Sequence, residues 1–338
     1  MEKPASTRIM DGTALADAVL ARVAQRSGEY RDRTGRAPCL AVVVIGDAAG
    51  PRAQFELKRA RCRATGIEAR IVQLAPASST TQAVGALREL SGDPTVDAVL
   101  LQLPVPPEVD WSTAFGAIAA TKDVDGAGRA RNAPVGPGAV GVPTCSAAGI
   151  LRLLDHYGVD PEGRPAVVIG DDPLLARPVA DLLTGRRASV TIAGSDDRDL
   201  AAIVRTGDIV VAGARRPGQV RGSWLKPGSV VVDAGYGQGP SGDVRRDEAL
   251  EVVSLLAPVP GGVGPMTIAV LLERTVDMAE RGRSSIVGGV RGEERAASLW
   301  PLPEGGEPAC LAQLLCGSCG VVLDGGPHRP GCSSGRDA

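Results

Sequence analysis

An α/β fold of two lobes, each built on a parallel sheet, is the architecture this sequence predicts. Three observations carry the prediction. Short β-branched runs alternate with segments of helical periodicity. The alternation breaks at a Gly/Pro-rich stretch over residues 126–141 and restarts at Ala166. The runs are continuous rather than alternating in polarity, as in strands buried on both faces. In chain order, Leu15, Val19, Leu20 and Val23 share a helical face, which predicts an amphipathic helix over residues 11–30. Residues 40–45 form the first buried strand, ending at Gly46. A helix over 52–65 stops at Gly66, and 67–74 is the second strand. A second strand-connecting helix spans 80–90, and the third strand spans 96–103, closed by Pro104. This order gives a parallel sheet wound with helices. A helix over 146–157 bridges to a second unit with strands at 166–169, 189–192, 209–212 and 229–233. That unit reads as a doubly wound, Rossmann-like nucleotide-binding lobe, with Gly170 opening the turn into its first helix. The run Pro258-Val-Pro-Gly-Gly-Val-Gly-Pro-Met266 is neither helix nor strand throughout, and a helix follows from Thr267 to about Arg281. A linker and a Cys-rich tail complete the chain.

The composition bounds the functional class. The 338 residues are 43% hydrophobic and 22% charged, enough for one or two ordinary cores. Aromatic residues make up only 2%, so those cores consist of many small aliphatic contacts. Lys and Arg number 37 against 39 Asp and Glu, a net charge of -2, which argues against a dedicated nucleic-acid binder. No apolar run reaches the roughly 18 residues that would span a bilayer. The opening Met1-Glu2-Lys3-Pro4 lacks the apolar core of a signal peptide. A soluble cytoplasmic protein with no membrane partner is the expectation. Of seven Cys, four fall in the last 29 residues, a clustering that suggests a local metal or thiol site rather than a secreted disulfide framework.

Three segments, Leu101-Gln-Leu-Pro-Val-Pro106, Lys122-Asp-Val-Asp-Gly126 and Pro258-Val-Pro-Gly-Gly-Val-Gly-Pro-Met-Thr267, together resemble the bifunctional methylenetetrahydrofolate dehydrogenase/cyclohydrolase family. The likeness covers about residues 11–281. It implies a catalytic folate-binding lobe over residues 1–145, completed by a returning helix at about 267–282, and a Rossmann-like NAD(P)-binding lobe over 146–266, with 283–338 as linker and tail. It also implies oxidation of 5,10-methylenetetrahydrofolate with NADP or NAD, hydrolysis of the methenyl product to 10-formyltetrahydrofolate, and a homodimer. Lys58 falls where the family keeps its catalytic Lys, twelve residues after Gly46 and eight before Gly66. The chemistry suits it, because a neutral amine, its pKa lowered by partial burial and a cationic substrate, assists water addition and proton movement. Gln102 holds that Lys or the water without adding charge, and Asp125 resembles the pterin anchor, where a carboxylate takes two donors from a planar aminopyrimidine. The Pro/Gly run, with Pro260, Gly261, Gly262, Gly264 and Pro265, offers a rigid backbone that a flat ligand can approach closely.

The chain also departs from the family pattern. Four residues before the Lys the family usually stacks a Tyr on the pterin; here stands Gln54, with Phe55 one residue on as a substitute ring. A Phe55→Ala protein with unchanged folate affinity would rule out that substitution. In the nucleotide lobe the expected contacts are Gly170, Asp171, Asp172, Arg177, Pro178, Ser195, Arg215 and Arg216. Asp171 and Asp172 put two acids in a turn whose free amides favour phosphate, so they compete for those donors. Acids after the next strand, in Ala193-Gly-Ser-Asp-Asp197, suit a free ribose hydroxyl better than a 2′-phosphate. Arg215 replaces a Gly and either blocks the cofactor or clamps its phosphates; the sequence leaves both open. In the tail, Cys316, Cys319, His328 and Cys332 form a C-x2-C, x8, H-x3-C pattern that suits a closed, structural tetrahedral Zn, against a tail of free thiols. Two alternatives to the bifunctional enzyme stay open: a cyclohydrolase-only paralogue, and a non-catalytic folate or nucleotide sensor whose Zn tail recruits a partner.

Overall fold

The computed structural model describes residues 7–46, 52–128, 143–235 and 241–287. The chain enters through a short strand β1 (Arg8–Ile9) and then forms α1 (Gly12–Thr34). Asp11 caps that helix by accepting from the Thr13 and Ala14 amides, and Gly35 ends it at φ 77° with its N–H on the Arg31 carbonyl. The helix buries Val19, Leu20 and Val23 of the predicted stripe together with Ala16 and Tyr30, while Leu15 is partly buried at its edge. Strand β2 (Cys39–Ile45) is buried along its whole length. It is followed by α2 (Arg52–Ala64), β3 (Glu68–Leu74), α3 (Thr80–Gly92), β4 (Ala98–Leu101) and α4 (Trp111–Phe115). The α3 start is a reciprocal capping box between Ser79 and Gln82. These strands pair in parallel in the order β3-β2-β4.

Helix α5 (Cys145–His156) leads into β5 (Pro165–Ile169), α6 (Ala176–Gly185), β6 (Ser189–Ala193), α7 (Leu200–Val204), β7 (Ile209–Ala212), β8 (Val230–Asp233), α8 (Arg246–Leu250), β9 (Leu255–Ala257) and α9 (Val263–Val287). The second sheet has six parallel strands in the order β1-β9-β8-β7-β5-β6. Two of its strands are absent from the sequence reading. β9 has three residues and β1 two, too few to show a period, and both are specified by pairing: Arg8 lies opposite Leu255 and Ile9 opposite Leu256. The N-terminal segment is therefore stitched into the second sheet before the chain builds the first.

Helices α1, α9 and α5 form the layer between the sheets. A single core cluster runs from Leu40, Val42 and Leu100 through Leu20, Ile150 and Leu272 to Val168 and Val211. Each fully buried Leu or Ile in it contributes about 1.5–3 kcal/mol. Separate clusters fill the far faces, around Leu87 and Phe115 on the first sheet and around Ile169 and Val231 on the second. Helix α9 begins at Val263, four residues earlier than its periodicity indicates. Pro265 permits this, since a proline in the first turn forgoes only an amide that has no intrahelical partner.

Candidate active site

The first sheet delivers Gln102 to the C-terminal end of β4. Its amide extends the ladder by one bond to the Val43 carbonyl, at 2.9 Å, and the peptide plane then turns away. The side-chain Nε2 donates to the Leu103 carbonyl at 2.6 Å, so the Oε1 is the end left to face the neighbouring helix. Lys58, on α2, meets it there: Nζ donates to Gln102 Oε1 at 2.6 Å. Burial pulls the Lys58 ammonium below the ordinary lysine range, and the charge of Asp125 opposes that shift. A half-buried amine is thus held by a neutral acceptor and influenced by one carboxylate, and its lowered pKa makes the neutral form more accessible than for an exposed lysine.

Asp125 is positioned by the start of α5. Its Oδ1 accepts the Cys145 amide at 3.1 Å, where the helix N-terminus favours negative charge. Next to it, Asp123 is 5% exposed and accepts the amides of Gly126 and Gly128, each at 3.0 Å, which shapes the turn carrying Asp125. Burial, and then the charge of Asp125, raise the Asp123 carboxyl above the usual range. Two further residues brace the same turn and escape a reading of the sequence. The Val124 carbonyl accepts both the Cys145 thiol, at 3.4 Å, and Arg274 Nη1 of α9, at 3.3 Å. Cys145 is fully buried, and desolvation raises its thiol pKa. The available signal for Arg274 was a cation two residues beyond the apolar run Ile268-Ala-Val-Leu-Leu272.

The Pro/Gly run divides between a turn and a helix start. Gly262 N–H bonds back to the Pro258 carbonyl at 2.8 Å, and Gly261, at φ 101°, presents its carbonyl to the Thr13 amide at 3.1 Å. The loop and α1 approach so closely that a Cβ on Gly12 would lie 1.9 Å from the Gly262 oxygen. Pro260 sits in this turn, while Gly264 and Pro265 belong to the first turn of α9. Thr267 then ties that helix to α5 through Ser146 Oγ, at 3.3 Å. Gln54 and Phe55 lie on α2, and their side chains fall outside the described residues.

In the second sheet the strand order reverses between β5 and β7, and doubly wound sheets bind ligands outside the carboxyl ends of the strands at that point. Gly170, at φ 138°, closes one side: a Cβ there would lie 2.6 Å from the Gly213 oxygen. Asp172 Oδ1 takes the Leu174 amide at 2.9 Å, so one of the two acids does occupy a phosphate-type donor, and its other oxygen is ion-paired with Arg215. Arg215 sits at φ 57°, held there because the buried Asp243 accepts the Ala214 and Arg215 amides at 2.6 and 2.9 Å. Asp171 turns to Ser195, accepting its hydroxyl at 3.2 Å, and Arg216 pairs with Asp196 at 2.7 Å. Arg177 is bonded along its own helix to Asp181 at 2.9 Å, and Pro178 is buried in α6. Thr144 Oγ1 donates to the Leu174 carbonyl at 2.9 Å, joining the crevice to the start of α5.

Among the described residues no group of His, Cys, Asp and Glu is arranged to hold a metal ion, and no helix is long and apolar enough to cross a membrane. The predicted Zn ligands Cys316, Cys319, His328 and Cys332 lie outside the described residues.

Two family models match the chain. Residues 10–125 match the catalytic domain of tetrahydrofolate dehydrogenase/cyclohydrolase, and residues 144–283 match the NAD(P)-binding domain of the same family. Bifunctional protein FolD 1 of Streptomyces avermitilis is 46% identical over 279 residues, covering 82% of this chain and 97% of its own length. Bifunctional protein FolD of Shouchella clausii is 39% identical over 280 residues, with 82% and 99% covered. Among solved structures, the bifunctional FolD enzyme of Campylobacter jejuni superposes with a TM-score of 0.75 at 30% identity, covering 82% of this chain and 99% of that one. The methylenetetrahydrofolate dehydrogenase-cyclohydrolase of Trypanosoma brucei, solved with NADP and an inhibitor, gives 0.74 at 32% identity, with 82% and 98% covered.

Proposed function

This chain belongs to the tetrahydrofolate dehydrogenase/cyclohydrolase family, and from that premise we propose how its residues divide the work of two reactions. The enzyme oxidises 5,10-methylenetetrahydrofolate with NAD(P) and hydrolyses the resulting methenyl cation to 10-formyltetrahydrofolate. The observation that carries the assignment of roles is the 2.6 Å bond between Lys58 and Gln102 within the electrostatic reach of Asp125.

In hydrolysis, water adds to the cationic methenyl carbon, and a proton must leave that water as the C–O bond forms. Lys58 in its neutral form receives it, and burial enlarges the neutral fraction. Gln102 orients the amine, because its own Nε2 is committed to the Leu103 carbonyl and only the Oε1 can face Nζ. Asp125, fixed at the α5 N-terminus, accepts the paired donors of the aminopyrimidine. The rigid turn at Pro260, Gly261 and Gly262 lines the folate side. Phe55, three residues before Lys58 on α2, substitutes for the stacking ring that Gln54 replaces.

NAD(P) supplies the hydride acceptor when bound. The crevice between β5 and β7 fits such a group, since Gly170 and Gly213 bring the two turns together without side chains and Arg215 supplies positive charge at its mouth. Arg215 exchanges Asp172 for a phosphate, and Arg216, Ser195, Asp171 and the α6 start with Arg177 and Pro178 complete the surroundings. A cyclohydrolase without oxidation is the second reading, favoured by the Leu174 amide being taken by Asp172 rather than left for a phosphate.

Incubating the protein with methylenetetrahydrofolate and either dinucleotide, and quantifying methenyl and formyl products, tests both. Product with a dinucleotide supports the bifunctional assignment. Hydrolysis of added methenyl compound without oxidation supports the second reading, and no turnover in either assay refutes both. The proposal further includes a folate lobe over 1–145 completed by the returning helix, a dinucleotide lobe over 146–266, a homodimer, a cytoplasmic location and a structural Zn in the tail. Sedimentation of the full chain tests the dimer, and zinc release by a chelator tests the tail.

A further inference from the structure

We infer that the dinucleotide crevice is built for NAD and discriminates against NADP, with Asp171 and Asp197 as the specificity-determining pair. The inference rests on the NAD(P)-dependent oxidation above and specifies its cosubstrate.

In a doubly wound sheet the ribose of the adenosine half lies beside the carboxyl end of the second strand of the unit, where an acidic side chain accepts its hydroxyls. Here that region is the junction of Gly170 and Asp171, after β5, with residues 194–197, after β6. Gly194 lies between two carboxylates: a Cβ built on it would be 3.2 Å from Asp171 Oδ1 and 3.3 Å from Asp197 Oδ1. Each carboxylate is oriented by its second oxygen. Asp171 Oδ2 accepts the Ser195 hydroxyl at 3.2 Å and its amide at 3.4 Å, and Asp197 Oδ2 accepts the Gly194 amide at 3.0 Å. The two Oδ1 atoms therefore converge on one small-residue position as hydrogen-bond acceptors.

Two hydroxyls of a free ribose are donors and match that pair. A 2′-phosphate carries only acceptor oxygens and a charge of about −1.5 to −2, so it meets repulsion from both acids. Two groups that could offset this, Ser195 and Arg216, are already engaged. Ser195 is 8% exposed and its hydroxyl donates to Asp171, and Arg216, which reaches this rim, is paired with Asp196 at 2.7 Å. Arg215 is directed to Asp172, on the other side of the turn. Around the ribose position the three acids Asp171, Asp196 and Asp197 outnumber the guanidinium of Arg216 and that of the exposed Arg198, next along the chain.

The test is direct binding of NAD and NADP to the full chain by calorimetry without folate, so that affinity rather than turnover is read. NAD is expected to bind at least about tenfold tighter at low salt, and the margin should narrow as ionic strength rises, because exposed charges are screened. Asp171→Ser and Asp197→Ser should each reduce the NAD preference by about threefold or more, with folding checked by circular dichroism; wild-type selectivity stands as evidence by itself if either variant fails to fold. NADP binding as tightly as NAD, or a preference unchanged in folded variants, would overturn the inference while leaving the dinucleotide site intact. Binding of neither nucleotide would instead overturn the dinucleotide reading, and the inference with it.

Discussion

Replacing Gln102 by Met removes the Lys58 acceptor while nearly preserving side-chain length and volume. The lost contact is the 2.6 Å bond from Nζ to Oε1. A hydrogen bond from a charged group contributes about 1.5–3 kcal/mol and a neutral one about 0.5–1.5, so the amide favours the ammonium over the amine by about 1–1.5 kcal/mol. At 1.36 kcal/mol per pKa unit that is about one unit, reduced to roughly half a unit to one unit because both side chains are half-buried and water screens them. Burial already holds Lys58 low, so Gln102→Met should lower it further. In the pH profile of methenyl hydrolysis, where the neutral amine is the active form, the acidic limb should move down by that amount. The plateau rate should fall by about 10- to 100-fold, since the amine is no longer oriented. A limb that stays in place or moves up, with the plateau reduced, would refute the reasoning, because Gln102 would then act on something other than the Lys58 proton.

Three further outcomes follow from the packing and charges. Gly12→Ala places a Cβ against the Gly262 carbonyl, where the backbone cannot yield cheaply; a loss of about 1–3 kcal/mol in denaturant unfolding and a raised KM for folate are expected, and wild-type values would contradict the close approach. Asp97→Ala strips Arg36 of both 2.7 Å bonds and the buried Cys39 amide of its acceptor, and should cost about 3 kcal/mol, seen as a Tm roughly 5–10 °C lower with hydrolysis per folded molecule unchanged. Asp233, 2% exposed, has its carboxyl pushed up to about 6 by burial. A folded pKa above the unfolded one means the folded state holds the proton more tightly, so this stabilisation is complete below about pH 4 and is lost as pH rises through 6. Carbon-13 NMR should place the Asp233 midpoint near 6, and an ordinary carboxylate midpoint would contradict its desolvation.

Much of the secondary structure was legible because its determinants are local. Strand β2 was legible from the continuous apolar run over residues 40–45, and α1 from the helical spacing of Leu15, Val19, Leu20 and Val23. The short β1 and β9 were not legible, since two or three residues carry no period and exist as strands only by pairing, β1 with β9 and β9 with both β1 and β8. The α9 start was misplaced because Pro and Gly read as breakers, whereas a helix's first turn tolerates both. Lys58, Gln102 and Asp125 could be nominated from the resemblance to the family's motifs, but their geometry depends on groups far away in the chain. Asp125 is held by Cys145, and the Val124 carbonyl by Arg274, 150 residues later. The acids at 171 and 172 could be seen in the sequence, but not that one would turn to Ser195 and the other to Arg215. By itself the sequence determined the alternation of strands and helices and the family, because periodicity and motif order are properties of neighbouring residues. Tertiary structure alone decided which oxygen faces which donor and which charges cancel, because those depend on distances between segments that only folding brings together.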